Sequence, residues 1–181
     1  MSTSVSKLEG KVAEMRRVFD EAFALASSEQ GNAPEPMLAI TLEGERFALR
    51  VHEILGVAVN REKIVPVPSR VPELLGLTGI RGVVVPVFSL ARLLGFDSEH
   101  GQELWLAFCG ERQSPIALAF EGMEKQFEVA SSEIFAREES SGLRYVSATV
   151  NEGAMLRGVI NVSSLVEYIK ARGASKPRSK R

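Results

Sequence analysis

Between Met37 and Val162 the chain never holds a helical period for more than a turn or two. Short apolar runs of strand length alternate instead with turns marked by glycine or proline. Such runs fold as strands, because a period of two sends successive side chains to opposite faces. Parallel strands need crossovers of a dozen or more residues, usually helical, and no long helix separates these runs. A doubly wound α/β sheet is therefore disfavoured. The expected fold is mainly β: two small five-stranded β-barrel subdomains of SH3-like kind, with short helices.

MLAITL and RFALRV, joined by an EGE turn, predict a first hairpin. EILGVAVN predicts a third strand with Gly56 inside it, where glycine marks a bulge or a close backbone approach. Residues 61–76 hold Pro66, Pro68 and Pro72 and are expected to wrap the surface. Val83–Val87 predicts a strand and Ser89–Leu94 a short helix. Beyond a turn at 95–102 the pattern repeats in outline. ELWLAFCG, SPIALAFEGM and KQFEVA read as strands, and YVSATVNEGAMLRGVINV as a second hairpin. SSLVEYIKAR closes the domain as a helix, with Ser163 or Ser164 as N-cap. The spacing of the turns does not say which strand joins which half.

Before this domain, Val5, Leu8, Val12, Met15, Phe19, Ala22 and Ala26 alternate three and four apart. They lie on one stripe of an amphipathic helix over 4–28. SEQGNAPEP (28–36) cannot continue it. The expected organisation is an N-terminal helix and linker (1–33), a two-subdomain β domain (34–170) and a basic flexible tail (171–181). The stripe either docks on the chain's own β units or pairs with a partner helix.

The balance of charge, 22 basic against 23 acidic residues, gives no reason to expect nucleic acid as a partner. No apolar run reaches the roughly 18 residues that span a bilayer, so no membrane insertion is expected. The N-terminus carries no signal-peptide pattern, and the single cysteine suits a reducing cytoplasm. Chemistry is equally poorly supplied. His52 and His100 are the only histidines, no Gly-x-Ser-x-Gly element occurs, and neither phosphate-binding glycine pattern is present. Cys109 lies in an apolar run and reads as a small buried hydrophobe. No catalytic activity, metal or cofactor is expected.

One charged residue stands out. Arg81 sits between Gly79 and Gly82, ahead of the β-branched run Val83–Val85. It is either a surface arginine in a tight turn whose glycines supply positive φ, or a guanidinium held at a groove edge to meet a partner. Arginine is enriched among interface hot spots.

The stretch GIRGVVVPVFSLARLLG resembles a segment that marks CheW-like domains, the coupling modules of bacterial chemosensory arrays. There Asn-Leu-Arg-Gly precedes a valine-rich strand, Pro-Val and Asp-Leu. LAITLEGERFALRV, IVPVPSRVPELLG, WLAFCGERQSPIALAFEGM and MLRGVINVSSLVEYI follow the same family order, and together the likeness covers Met37 to Ile169. It implies a non-catalytic adaptor with two five-stranded barrels. Such an adaptor couples the cytoplasmic tip of methyl-accepting chemoreceptors to the regulatory domain of a CheA-type histidine kinase, in the cytoplasm at receptor arrays. Other CheW-like proteins are further expected partners. In that family the groove between subdomains receives the receptor and barrel ends contact the kinase. The residues implied here are Ile54, Gly56, Val57, Gly76, Gly79, Arg81 and Gly82. The chain departs from the family at three of its positions. Gly79 replaces an asparagine, Gly56 stands where a glutamate is frequent, and Ser89 replaces an aspartate. A variant reading follows: a specialised scaffold that binds one usual partner and assembles through its N-terminal helix.

Overall fold

The computed structural model describes residues 33–61, 64–97, 105–137, 143–153 and 155–173. The expected helix over 4–28 and the tail after residue 173 lie outside them. Eleven strands form two sheets among the described residues. The six-stranded sheet contains β1 (Glu35–Leu42), β2 (Glu45–Arg50), β8 (Gly122–Val129), β9 (Ile134–Ala136), β10 (Val146–Glu152) and β11 (Met155–Ile160), in the order β8-β1-β2-β11-β10-β9. The five-stranded sheet contains β3 (Ile54–Val59), β4 (Leu74–Ile80), β5 (Val83–Ser89), β6 (Trp105–Glu111) and β7 (Ser114–Phe120), in the order β3-β6-β7-β5-β4. The helices are α1 (Leu90–Leu94) and α2 (Val162–Gly173). This is the mainly β, two-unit architecture expected, with one strand more in the first unit.

The units are nested rather than in tandem. β2 leaves the six-stranded sheet through a 3-10 turn at Val51–Glu53, the whole five-stranded sheet follows, and β8 returns to pair with β1. Each sheet holds one parallel pair, β2 with β11 and β5 with β7. A repeat of the first half in the second is thus not how the chain divides.

Three apolar clusters explain the strand sequences. Met37, Ala48, Val150 and Val159 fill the interior of the six-stranded sheet. Val85, Val87, Leu106, Ala117 and Ala119 fill that of the five-stranded sheet. Between them, Leu38, Ile40, Phe47, Phe88, Leu118 and Leu165 form a shared core with both helices. β1 and β7 are buried on both faces, which is why MLAI and IALAF are continuous apolar runs rather than alternating ones.

Two strands escaped the sequence pattern. β4, LLGLTGI, is interrupted by two glycines and a register shift between Leu74 and Gly76. β9 has three residues. The proline-rich strap before β4 is bound to it by a reciprocal pair, Val65 N to Leu77 O at 2.8 Å and Leu77 N to Val65 O at 2.9 Å. The cap of α2 also differs from expectation. Asn161 Oδ1 accepts from Ser164 N at 2.9 Å, while Glu53 accepts from Val162 N and from Ser163 Oγ, both at 3.1 Å. A carboxylate at a helix N-terminus is favourable, and this one ties the inter-sheet turn to α2. Ser89 caps α1, accepting from Arg92 N at 3.5 Å, a role serine fills about as well as aspartate.

Thr78 in β4 is buried opposite Val85, and its hydroxyl has no hydrogen-bond partner among the described residues. An unpaired buried hydroxyl carries its desolvation cost without return. Thr78→Val is therefore expected to stabilise the fold by about 1 kcal/mol, read as a higher urea midpoint at unchanged m-value.

Candidate functional site

β4 and β5 are joined by two residues, Arg81 and Gly82, between the paired Ile80 and Val83. Their φ angles are 49° and 80°, the double positive φ of a type I′ turn, whose backbone twist matches the strands it joins. Gly82 adopts this freely, whereas a residue with a Cβ pays about 1 kcal/mol. Glu43 in the β1–β2 hairpin has a φ of 50°. Tight-hairpin geometry alone therefore accounts for the strain at Arg81, and its chemical interest lies in what surrounds the tip. Gly79 contributes no positive φ: it is exposed in β4, paired with Val84.

Beside this tip lies a concavity of about 380 Å3 at one end of the five-stranded sheet. β3 contributes Leu55, Gly56, Val57 and Ala58, and the hairpin contributes Ile80, Arg81, Val83 and Val85. Phe108, Arg112 and Pro115 complete it from β6, the β6–β7 turn and β7. Val85, Ile80 and Phe108 also belong to or pack on the interior cluster of this sheet, so the concavity is that core opening to solvent. Of its lining residues, Leu55 and Val83 are exposed hydrophobics. An apolar floor with exposed aliphatic side chains on its rim is the kind of surface that marks an interaction site.

Of the residues singled out by sequence, Gly56, Val57 and Arg81 meet in this concavity. Gly82 is at the adjoining tip. Ile54 packs against the shared core instead, and Gly76 lies under the strap. Gly56 sits at a register shift opposite Phe108, the bulge its sequence context suggested. Sequence reasoning missed Arg112 and Phe108, which come from a different hairpin and carry no local signal.

Among the described residues, no carboxylate lines the concavity. Glu53, the acidic residue nearest β3 in sequence, is engaged by α2 and not by Arg81. Glu111, next to Arg112, is bound to Lys170 at 2.6 Å, which holds its carboxyl below the usual range. Neither Arg81 nor Arg112 has an ion-pair partner among the described residues. A second concavity, on the six-stranded sheet, is lined by Glu45 as well as Arg46 and Arg137, so its charges are mixed.

Cys109 is fully buried, and burial, with Glu53 as the lesser cause, pushes its thiol up to about 12. A thiol so protonated is no nucleophile. His52 is exposed beside Glu35, at 3.6 Å. Among the described residues no three metal-ligating side chains converge, and no helix is long and apolar enough to cross a membrane.

A family model described as CheW-like domain matches residues 21–170. Among solved structures, the scaffolding protein TtCheW from Thermoanaerobacter tengcongensis is similar, with a TM-score of 0.64 at 14% sequence identity. The match covers 71% of this chain and 90% of that one. A comparison with curated proteins finds no match.

Proposed function

The chain belongs to the CheW-like domain family, and from that premise we propose that it is a non-catalytic adaptor of bacterial chemotaxis or motility signalling. It couples the cytoplasmic tip of chemoreceptors to the regulatory domain of a CheA-type histidine kinase at receptor arrays. The observation that carries the reading is the apolar concavity with Arg81 on its rim, where Gly56, Val57 and Arg81 of the residues implied by the resemblance meet. An arginine next to exposed aliphatic side chains combines the two features of an interface hot spot, a directional donor and desolvated surface.

Calorimetry with purified receptor-tip and kinase regulatory fragments tests this. At least one fragment is expected to bind at about ten micromolar or tighter. Arg81→Glu is expected to weaken that binding by about tenfold or more, with the melting temperature unchanged. If neither fragment binds the unaltered protein, the coupling role is wrong.

One observation favours the narrower scaffold reading. With Gly56 in β3, where the resemblance implies a glutamate, no carboxylate among the described residues lines the concavity with Arg81. Deleting residues 1–33 separates the readings. Assembly lost with fragment binding retained supports a scaffold working through its N-terminal stripe; assembly unaffected by the deletion removes it.

A further inference from the structure

We infer that the open end of the five-stranded sheet takes a partner segment in which an apolar side chain is flanked by a carboxylate, with Arg112 as a second cation beside Arg81. This rests on the adaptor reading above and specifies the chemistry of the partner at that site.

The floor fixes the first half of this chemistry. Val57, Val85, Phe108 and Pro115 offer no charged group, and Ile80 and Val85 continue into the sheet's interior. Only an apolar side chain gains by displacing water from such a floor.

The rim fixes the second half. Arg81 and Arg112 come from two different hairpin turns, yet they border the same concavity. The two carboxylates that sequence places nearest are already committed. Glu53 holds the N-terminus of α2, and Glu111 holds Lys170. Two like charges at one mouth repel, and an incoming apolar group that excludes water strengthens that repulsion. A carboxylate arriving with the apolar group reverses the sign of the effect, and a guanidinium receives it through two parallel hydrogen bonds. A neutral apolar segment meets two desolvated guanidiniums without compensation, and a basic one is repelled. The site therefore selects by charge as well as by shape.

Binding of the receptor-tip and kinase regulatory fragments to the full chain, at about 50 and about 500 mM salt, tests this. With whichever fragment binds, Arg112→Ala is expected to raise Kd about tenfold and Arg112→Glu about a hundredfold. Arg112→Lys is expected to recover most of the loss, because a point charge still meets the carboxylate. The rise in Kd with salt is expected to be shallower in Arg112→Ala than in the unaltered protein. Arg112 is an exposed turn residue, so unchanged melting temperatures check that the variants fold. Unaltered binding by Arg112→Glu, with Arg81→Glu still weakened, overturns this inference and leaves the adaptor reading standing. Failure of both fragments to bind the unaltered protein overturns both. Binding of the full chain to vesicles containing anionic lipid, lost in Arg112→Glu while fragment binding is unaffected, assigns the rim to a membrane surface and also overturns it.

Discussion

Gly76→Ala is expected to cost at least about 3 kcal/mol and to free the proline-rich strap from β4. A methyl group built on Gly76 overlaps the carbonyl oxygen and carbon of Val65, and it crowds Ile64. The obstacle is backbone rather than the end of a flexible side chain. That backbone is fixed by the reciprocal Val65–Leu77 hydrogen bonds, so it cannot yield without losing them. Gly76 also has a φ of 152°, which side-chain-bearing residues avoid. Urea unfolding should show the loss, and hydrogen exchange should show the Val65 and Leu77 amides losing protection. Gly79→Ala is the contrast, three residues further along β4. Nothing lies within 4 Å of its added carbon and its φ is ordinary, so it is expected to be close to neutral. Equal losses in the two variants would refute the close-approach argument.

Arg157→Ala is expected to cost about 3–5 kcal/mol, the usual consequence of removing one partner of a buried charge cluster. The Arg157 side chain is wholly buried, at the turn end of the six-stranded sheet. Its Nε donates to Glu152 Oε2 at 2.6 Å, and its two terminal nitrogens donate to Glu124 at 3.2 and 2.5 Å. Lys125 pairs with Glu152 from outside, and Phe127 lies 6.0 Å beneath the guanidinium. Without Arg157 the Glu152 carboxylate keeps, among the described residues, only its ion pair with Lys125. Arg157→Met with Glu152→Gln is expected to recover part of the loss, since it removes charge from both sides of the pair.

The same cluster sets a pH dependence. Glu124 is held below its ordinary carboxyl value chiefly by its hydrogen bond from Arg157. Glu152 is held down first by Lys125 and then by Arg157. Depressed carboxyl values in the folded state give stability that is complete above the ordinary value of 4.5 and is lost as pH falls through the lowered ones. The gap in stability between the unaltered protein and Arg157→Ala is therefore expected to be full near neutral pH and to shrink below about 4.5. A gap that widens on acidification would contradict the cluster's role.

Much of the fold is legible in the residues because strands, turns and caps follow from local chemistry. The Glu43–Gly44 turn, the apolar run of β7, Ser89 before α1 and the stripe of α2 each announce themselves within a few positions. β4 does not, because its glycines dilute the pattern and its pairing with the strap is made by backbone atoms. The concavity was half legible. Gly56, Val57 and Arg81 could be singled out, but Arg112 joins them only through the pairing of β6 with β3 and β7.

The chain holds the triplet Arg-Gly-Val twice, at 81–83 and at 157–159. By itself the sequence determined that both lie in β segments punctuated by glycine, and that the chain is a member of a mainly β family. Tertiary structure alone decided their fates. Arg81 falls at a hairpin tip, outside the ladder, with no carboxylate beside it among the described residues, as the proposed partner contact requires. Arg157 falls within β11, on the face it shares with the buried Val159, where β8 and β10 bring Glu124 and Glu152 to it. The physical reason is that side-chain direction follows from strand register and from which distant strand comes to lie alongside. Three identical residues carry neither.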